Sequence, residues 1–369
     1  MKFIIFKNRL QKALIAVSRI TTKNFSLPVL EYMLVEVKNK KICFSTTNLE
    51  IAIQVWAQGK IEKDGAVLVP AQLMNQIVSG LDAEKIAIES KDMGLVIKTE
   101  SYEGFVKGIT VDDFPVIPKV SSKKTFSLPA QEVRKGLAQL SNIIVISEAR
   151  PEISGAYIII EEDQLCLVGT DSFRLGEKKI KLQSPLTKKD DPIKMIIPLK
   201  AVQELIRLME YQGEELVLSV EQSQALFDMG DIHVVSRLIE GVYPDYKKVV
   251  PQEFGLECVI PKPTIVEKIK LASLFSPKTN DVKCDISVKQ QQLTLQAGSS
   301  AMGETTVVVP VKAQGEDLKA VFNYRFLLDG LANIEGNTAI FRFDKQFKKL
   351  LIRAKEAKDF IYVVMPIKE

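Results

Sequence analysis

The chain repeats itself, and this limits its fold more than any single motif does. QLCLVGTDS at 164–172 follows KICFSTTNL at 41–49 by 123 positions, which sets Cys43 on Cys166, Thr47 on Thr170 and Asn48 on Asp171. Phe3 and Phe126 share that offset. A third copy, QLTLQAGSS at 292–300, lies 128 residues further on and matches Gln164, Leu165 and Leu167 with Gln292, Leu293 and Leu295. Three units of about 120 residues follow, each large enough to bury its own core. Their expected spans are 1–120, 124–251 and 256–369, divided at the turn-rich junctions 112–126 and 241–255.

Each unit opens on a strand followed by an amphipathic helix, at 7–20, 128–144 and 260–275, with Leu10, Leu14 and Val17 marking the 3.6-residue period in the first. A second helix follows a β-rich middle at 69–81, 197–209 and 323–334, with Pro70 and Pro198 where helices begin. Alternating stretches such as AYIIIEEDQLCLV supply strands. The expected class is α+β: three tandem copies of a domain with two helices and an antiparallel sheet.

Composition excludes several classes. With 46% hydrophobic and 26% charged residues the chain reads as soluble and globular, and no stretch reaches the ~20 apolar residues of a membrane span. The apolar start is broken by Lys7, Asn8, Arg9, Gln11 and Lys12, unlike a signal peptide, and four scattered cysteines suit a reducing compartment, so the expected location is cytoplasmic. A net charge of +4 is too small to draw polyanions to the whole surface, so any nucleic-acid binding must come from segregated Lys and Arg.

The helices supply that segregation. Opposite the stripe centred on Leu14 lie Arg9, Lys12 and Arg19, with no acidic residue among them. Lys200, Gln203 and Arg207 oppose the stripe of Val202, Leu205 and Met209, and Lys135 and Arg325 fall similarly in the third and sixth helices. The fifth carries Lys262, Lys268 and Lys270 beside Glu267, and the second only Gln72, Asn75 and Gln76. Such faces suit phosphates, which Lys and Arg neutralise without reading bases. No helix-turn-helix or zinc-finger spacing specifies a sequence, so any nucleic-acid binding is expected to be non-specific.

Catalytic signatures are absent. The single histidine, His233, sits in an alternating strand, and the chain lacks G-x-S-x-G, Walker A, G-x-G-x-x-G and H-E-x-x-H. Neither a cofactor nor a metal is expected, because one His and scattered Cys make no zinc site. The pairs Asp112–Asp113 and Asp190–Asp191 read as turn residues, though with basic helices they leave a metal-dependent nuclease as the alternative. A repeat-built interaction module without a DNA role is a second rival. Thr170-Asp171-Ser172 reads as a turn ending a strand, with Phe173 and Leu175 beside it as walls of a groove that the terminal YVVMPI could complete.

MKF with a basic first helix, SLPVL at 26–30, DDFP at 112–115, GTDSFRL, VYPDY at 242–246 and the terminal VVMPI occur in order across all three units. In these the sequence resembles the bacterial β sliding clamps, processivity subunits of DNA polymerase III. The resemblance implies a head-to-tail homodimer closing six domains into a ring around duplex DNA, and a non-catalytic role. It also implies a groove that captures short linear motifs from polymerases, the clamp loader and repair proteins. By motif matching the groove would include Ile153, Thr170, Ser172, Phe173, Arg174, Leu175, Pro244, Val249, Val363, Val364, Met365 and Pro366. Phe173 stands where relatives often carry His. The subunit interface would set Phe105 against Leu274 and Phe275. DNA contacts carried over by position are Lys23, Arg134, Lys135, Arg150, Lys200 and Arg207, and Gln72 stands where the family often has Arg.

Overall fold

In the computed structural model the described residues are 1–21, 26–120, 124–161, 163–182, 192–211, 213–300 and 302–367. Lys23 and the Asp190–Asp191 pair lie outside them. The α-helices follow the sequence periodicity: α1 (Lys7–Ser18), α2 (Ala71–Gly80), α3 (Ala130–Ser141), α4 (Leu199–Leu208), α5 (Lys262–Ser273) and α6 (Tyr324–Asn333). Strands Lys2–Phe6, Thr125–Pro129 and Phe254–Pro261 run directly into α1, α3 and α5. The apolar stripe decides which face turns inward: Leu10, Leu14 and Val17 are fully buried, each stabilising the fold by about 1.5–3 kcal/mol.

The chain forms two compact bodies, one of Met1–Gln131 with Glu204–Leu238, the other of Glu132–Gln203 with Ile239–Glu369. The first body holds an eight-stranded and a five-stranded sheet, the second a nine-stranded and a four-stranded sheet, all antiparallel. Both larger sheets cross the boundaries between sequence repeats. In the first body Ile232–Arg237 pairs with Ile51–Ala57, Val234 opposite Ile53. In the second Arg174–Lys181 pairs with Phe360–Val364, Leu175 opposite Val363. Crossing satisfies backbone groups that a sheet confined to one repeat would leave open at its edge.

The helix ends are closed by side chains from elsewhere. An α-helix leaves its last four carbonyls without partners inside the helix, and α1 has neither a glycine cap nor a basic residue in its last turn. Arg207 donates to the Ile15 and Ala16 carbonyls at 3.4 and 2.9 Å, and Thr46 to that of Val17 at 2.7 Å. Gln72 donates to the Ser18 carbonyl at 2.6 Å. The opening helix of each repeat also serves the helix that follows it: Lys7 donates to the Leu81 carbonyl, Gln131 to that of Met209 and Lys262 to that of Ile334. A cation there also complements the negative end of the helix dipole.

Gly330 shows how tightly α6 packs. A Cβ at this position would lie 2.5 Å from the Tyr362 ring, whose hydroxyl donates to the Phe326 carbonyl of the same helix. Gly330→Ala therefore forces apart two buried elements, and we expect a loss of about 1–3 kcal/mol despite alanine's better helix propensity. Urea unfolding checks this: an unchanged or raised midpoint would mean that the helix yields freely at this contact.

Candidate functional site

The Thr170–Phe173 segment is a turn built from its own polar atoms. It joins strand Gln164–Thr170 to Arg174–Lys181 and holds Ser172 at φ +78°, in the left-handed region that non-glycine residues enter only when tied. The tie is Asp171, whose Oδ1 accepts the N–H groups of Phe173 and Arg174, both at 2.9 Å. Thr170 Oγ1 accepts the Ser172 N–H at 3.1 Å and donates to the Arg174 carbonyl at 2.7 Å. These atoms are committed to the turn rather than to one another as a nucleophile and base. The turn leaves Phe173 63% exposed, while its carbonyl accepts the N–H of Met365 at 3.0 Å.

Arg174 points the other way and is buried. Its guanidinium donates to Asp171 at 3.0 Å, to the Asn142 carbonyl at 2.8 Å and to Asp329 of α6, and lies over the Phe326 ring at 4.3 Å. A fully committed fork of this kind fixes the base of the turn.

Beside the turn lies a cavity of about 170 Å³. Of the expected groove residues, Thr170, Ser172, Phe173, Arg174, Leu175, Pro244, Val249, Val363 and Met365 line it. Ile153 lies below, in the core under the groove with Leu175, Val363, Cys166 and Leu351, and Val364 is fully buried. Pro366 lines a different cavity, with Ile367 and Lys283. Three lining residues were not expected there: Tyr243, Tyr246 and Arg150. The tyrosines sit in VYPDY, but Cβ alternation gives no direction for side chains in a turn. Arg150, expected among the DNA contacts, lines this cavity, where Nη1 donates to Ser172 Oγ at 2.9 Å and Nε to Glu152 at 3.1 Å.

The helix cations divide into exposed and committed groups. Arg9, Lys12 and Arg19 of the first helical segment are exposed, as are Lys200 on α4 and Arg325 on α6. Lys135 is exposed but ion-paired with Glu335 at 2.7 Å, and that hydrogen bond raises its pKa. Arg134 is half-buried. Arg207 departs from the expectation of an open phosphate contact: beyond its bonds to α1 it pairs with Glu204 at 2.7 Å. Among the expected interface residues, Phe105 is 53% exposed on strand Glu103–Lys107, the last strand of the five-stranded sheet. Leu274 is 65% exposed just past α5, next to half-buried Phe275. Strand Gly303–Pro310 ends the four-stranded sheet.

Residues with other chemistry are engaged in structure. His233 pairs with Asp228 at 3.1 Å and packs edge-on to Trp56, and burial lowers its pKa. All four cysteines are buried, with burial pushing the thiols of Cys166, Cys258 and Cys284 up to about 12. Asp112 and Asp113 lie in a single 3₁₀ turn. Among the described residues no cluster of His, Cys, Asp or Glu could hold a metal ion, and no helix is long and apolar enough to cross a membrane.

Three family models match the chain in order: the N-terminal domain of the DNA polymerase III beta subunit over residues 1–118, its central domain over 127–245 and its C-terminal domain over 247–368. A beta sliding clamp of Synechococcus elongatus is 25% identical over 373 residues, spanning 100% of this chain and 99% of its own. The crystal structure of the DNA polymerase III beta subunit from Pseudomonas aeruginosa superposes with a TM-score of 0.94 at 24% identity, covering 100% of both chains. A sliding clamp from that organism bound to griselimycin has the same TM-score, identity and coverage.

Asp171 is the residue on which the turn depends. Asp171→Ala removes the acceptor of two backbone N–H groups and one partner of buried Arg174, which keeps Asp329, so we expect a cost of about 1–3 kcal/mol. Amide exchange at Phe173 and Arg174 should accelerate with it. Protection equal to that of the parent chain would show that the carboxylate does not hold the turn.

Proposed function

The chain belongs to the DNA polymerase III beta subunit family, and from that premise we propose how its surfaces carry out the work of a processivity clamp. It is a sliding clamp: a non-catalytic, head-to-tail homodimer whose six modules form a ring around duplex DNA and tether polymerase and repair proteins through a peptide-binding groove. Its place of work is the cytoplasm, where bacterial DNA is replicated.

The open sheets are the observation that carries the ring. Within one chain two sheets cross repeat boundaries and reach eight and nine strands, while the other two stop at five and four. Adding Glu103–Lys107 of one copy to Gly303–Pro310 of another would make a sheet of nine, the size reached within the chain by pairing Arg174–Lys181 with Phe360–Val364. Phe105 and Val308 on these edges are exposed, and so is Leu274 just past α5, as an apolar seam requires. A head-to-tail contact of this kind occurs twice in a closed ring.

Arg9, Lys12, Arg19, Lys200 and Arg325 are assigned to the DNA-facing surface, with Lys135 and Arg134 as secondary contacts, because their helices carry cations outside the apolar stripe. Exposed cations bind phosphate weakly, each neutralised phosphate adding about 0.9 to the salt slope of binding. Weak contacts let the ring slide. The groove at Phe173 and Met365 is assigned to linear peptide motifs, since its lining combines apolar Leu175, Val249, Val363 and Met365 with hydroxyl and guanidinium groups.

The test is retention by topology. Clamps loaded onto nicked circular DNA should stay through gel filtration and be lost when the circle is linearised, whereas equal loss from both would defeat the ring reading. Leu274→Asp with Phe275→Asp should yield monomers by sedimentation and abolish retention on circles. A dimer that persists in this double variant would overturn the interface.

A further inference from the structure

We infer that Tyr243 is a specificity-determining residue of the peptide groove, its hydroxyl donating a hydrogen bond to an oxygen that the captured peptide brings in beside Arg150. The inference rests on the groove reading above and adds the chemistry of what enters it.

Tyr243 lines the groove yet is only 6% exposed, and its hydroxyl is a buried polar atom without a hydrogen-bond partner among the described residues. The neighbouring tyrosines differ. Tyr246 reaches Cys166 Sγ at 3.5 Å, and Tyr362 donates to the Phe326 carbonyl at 2.9 Å. A buried hydroxyl left unpaired is costly, and one that persists at a binding surface calls for an explanation.

The ring of Tyr243 cannot easily turn to find another partner. It stacks on Tyr157 with centroids 4.4 Å apart and planes 9° apart, and it belongs to the core under the groove with Ile153, Leu175 and Val363. Burial raises the pKa of the hydroxyl, with Tyr157 adding to the effect and Arg150 opposing it, so it remains a donor at neutral pH.

Arg150 gives the direction in which the partner is to be found. It lines the same cavity and lies close enough to Tyr243 to act on its charge. Two of its donors are held by Glu152 and Ser172, which fixes the guanidinium at the rim. An orphan hydroxyl and a cation beside it offer donors to one incoming oxygen, a carbonyl, hydroxyl or carboxylate. The apolar lining of Leu175, Val249, Val363 and Met365 takes the side chains on either side.

The test uses the full-length clamp and a fluorescein-labelled peptide that alternates leucine with serine, which offers apolar side chains with oxygens between them. Tyr243→Phe should weaken its binding about tenfold, the size of one hydrogen bond to a group otherwise left unpaired. It should also raise Tm, because the unpaired hydroxyl is gone. Arg150→Gln should weaken binding too, and the two changes together should lose less than the product of the single effects, since both groups hold the same oxygen. Unchanged affinity in Tyr243→Phe overturns the inference, and so does weaker binding with a lowered Tm, which would make the hydroxyl a structural group. Failure of the groove reading has a different signature: the parent clamp would not bind the peptide, or would bind it equally well after deletion of Met365–Glu369.

Discussion

Strand Arg174–Lys181 is hydrogen-bonded along both edges, to Gln164–Thr170 within its own repeat and to Phe360–Val364 of the next, and the groove exists because of that second partner. A strand that ended its sheet would leave the 171–173 turn facing open solvent. With Phe360–Val364 alongside, Val363 falls opposite Leu175 and Met365 emerges where its N–H meets the Phe173 carbonyl. In the interface proposed above, the same rule of strand pairing would close the ring. Seams closed within the chain leave no edge for a partner, and Glu103–Lys107 and Gly303–Pro310 each end a shorter sheet next to exposed apolar side chains.

On the DNA-facing surface proposed above, basic residues on the helices have two uses that compete for the same side chains. Lys7 and Lys262 start α1 and α5 and reach the C-terminal ends of α2 and α6, while Arg207 does the same for α1. A carbonyl at a helix end has no intrahelical donor, and a guanidinium that satisfies two of them and pairs with Glu204 has little left for a phosphate. Gln72 makes a related bond to the end of α1, so the position where relatives often carry arginine holds a neutral donor engaged in the fold. Lys12 and Lys200 remain exposed.

The repeat, all six helices and the strands before α1, α3 and α5 were legible in the sequence, because periodicity records which face is buried. The turn at Thr170–Phe173 was legible too, since Asp and Ser beside a strand end favour local side-chain bonds. Strand partners across repeats were not, because alternation fixes a strand's faces but not its neighbour. For the same reason Ile153 and Val364, placed in the groove by position, lie under it and within the sheet. The helical wheel could not separate Arg207 from Lys200, since both oppose the stripe and only the fold reveals the α1 carbonyls within reach of one of them.

The division of cations also bears on how one molecule can both slide and dock. A protein held on DNA by affinity must make its phosphate contacts numerous, and each one that releases counterions also raises the barrier to moving along the helix. Exposed lysines on separate helices contribute little individually, because exposed charge pairs are worth at most about 1 kcal/mol and are screened at physiological salt. Closure of the ring removes the need for more. The groove is built in the opposite way, with a turn fixed by Asp171, a buried Arg174 fork and an apolar lining, so that a peptide meets a surface already ordered and loses little entropy there. With the surfaces assigned as proposed above, mobility on DNA and firm attachment to a polymerase follow from one physical difference, screened charge on the helices and preorganised apolar surface at the groove.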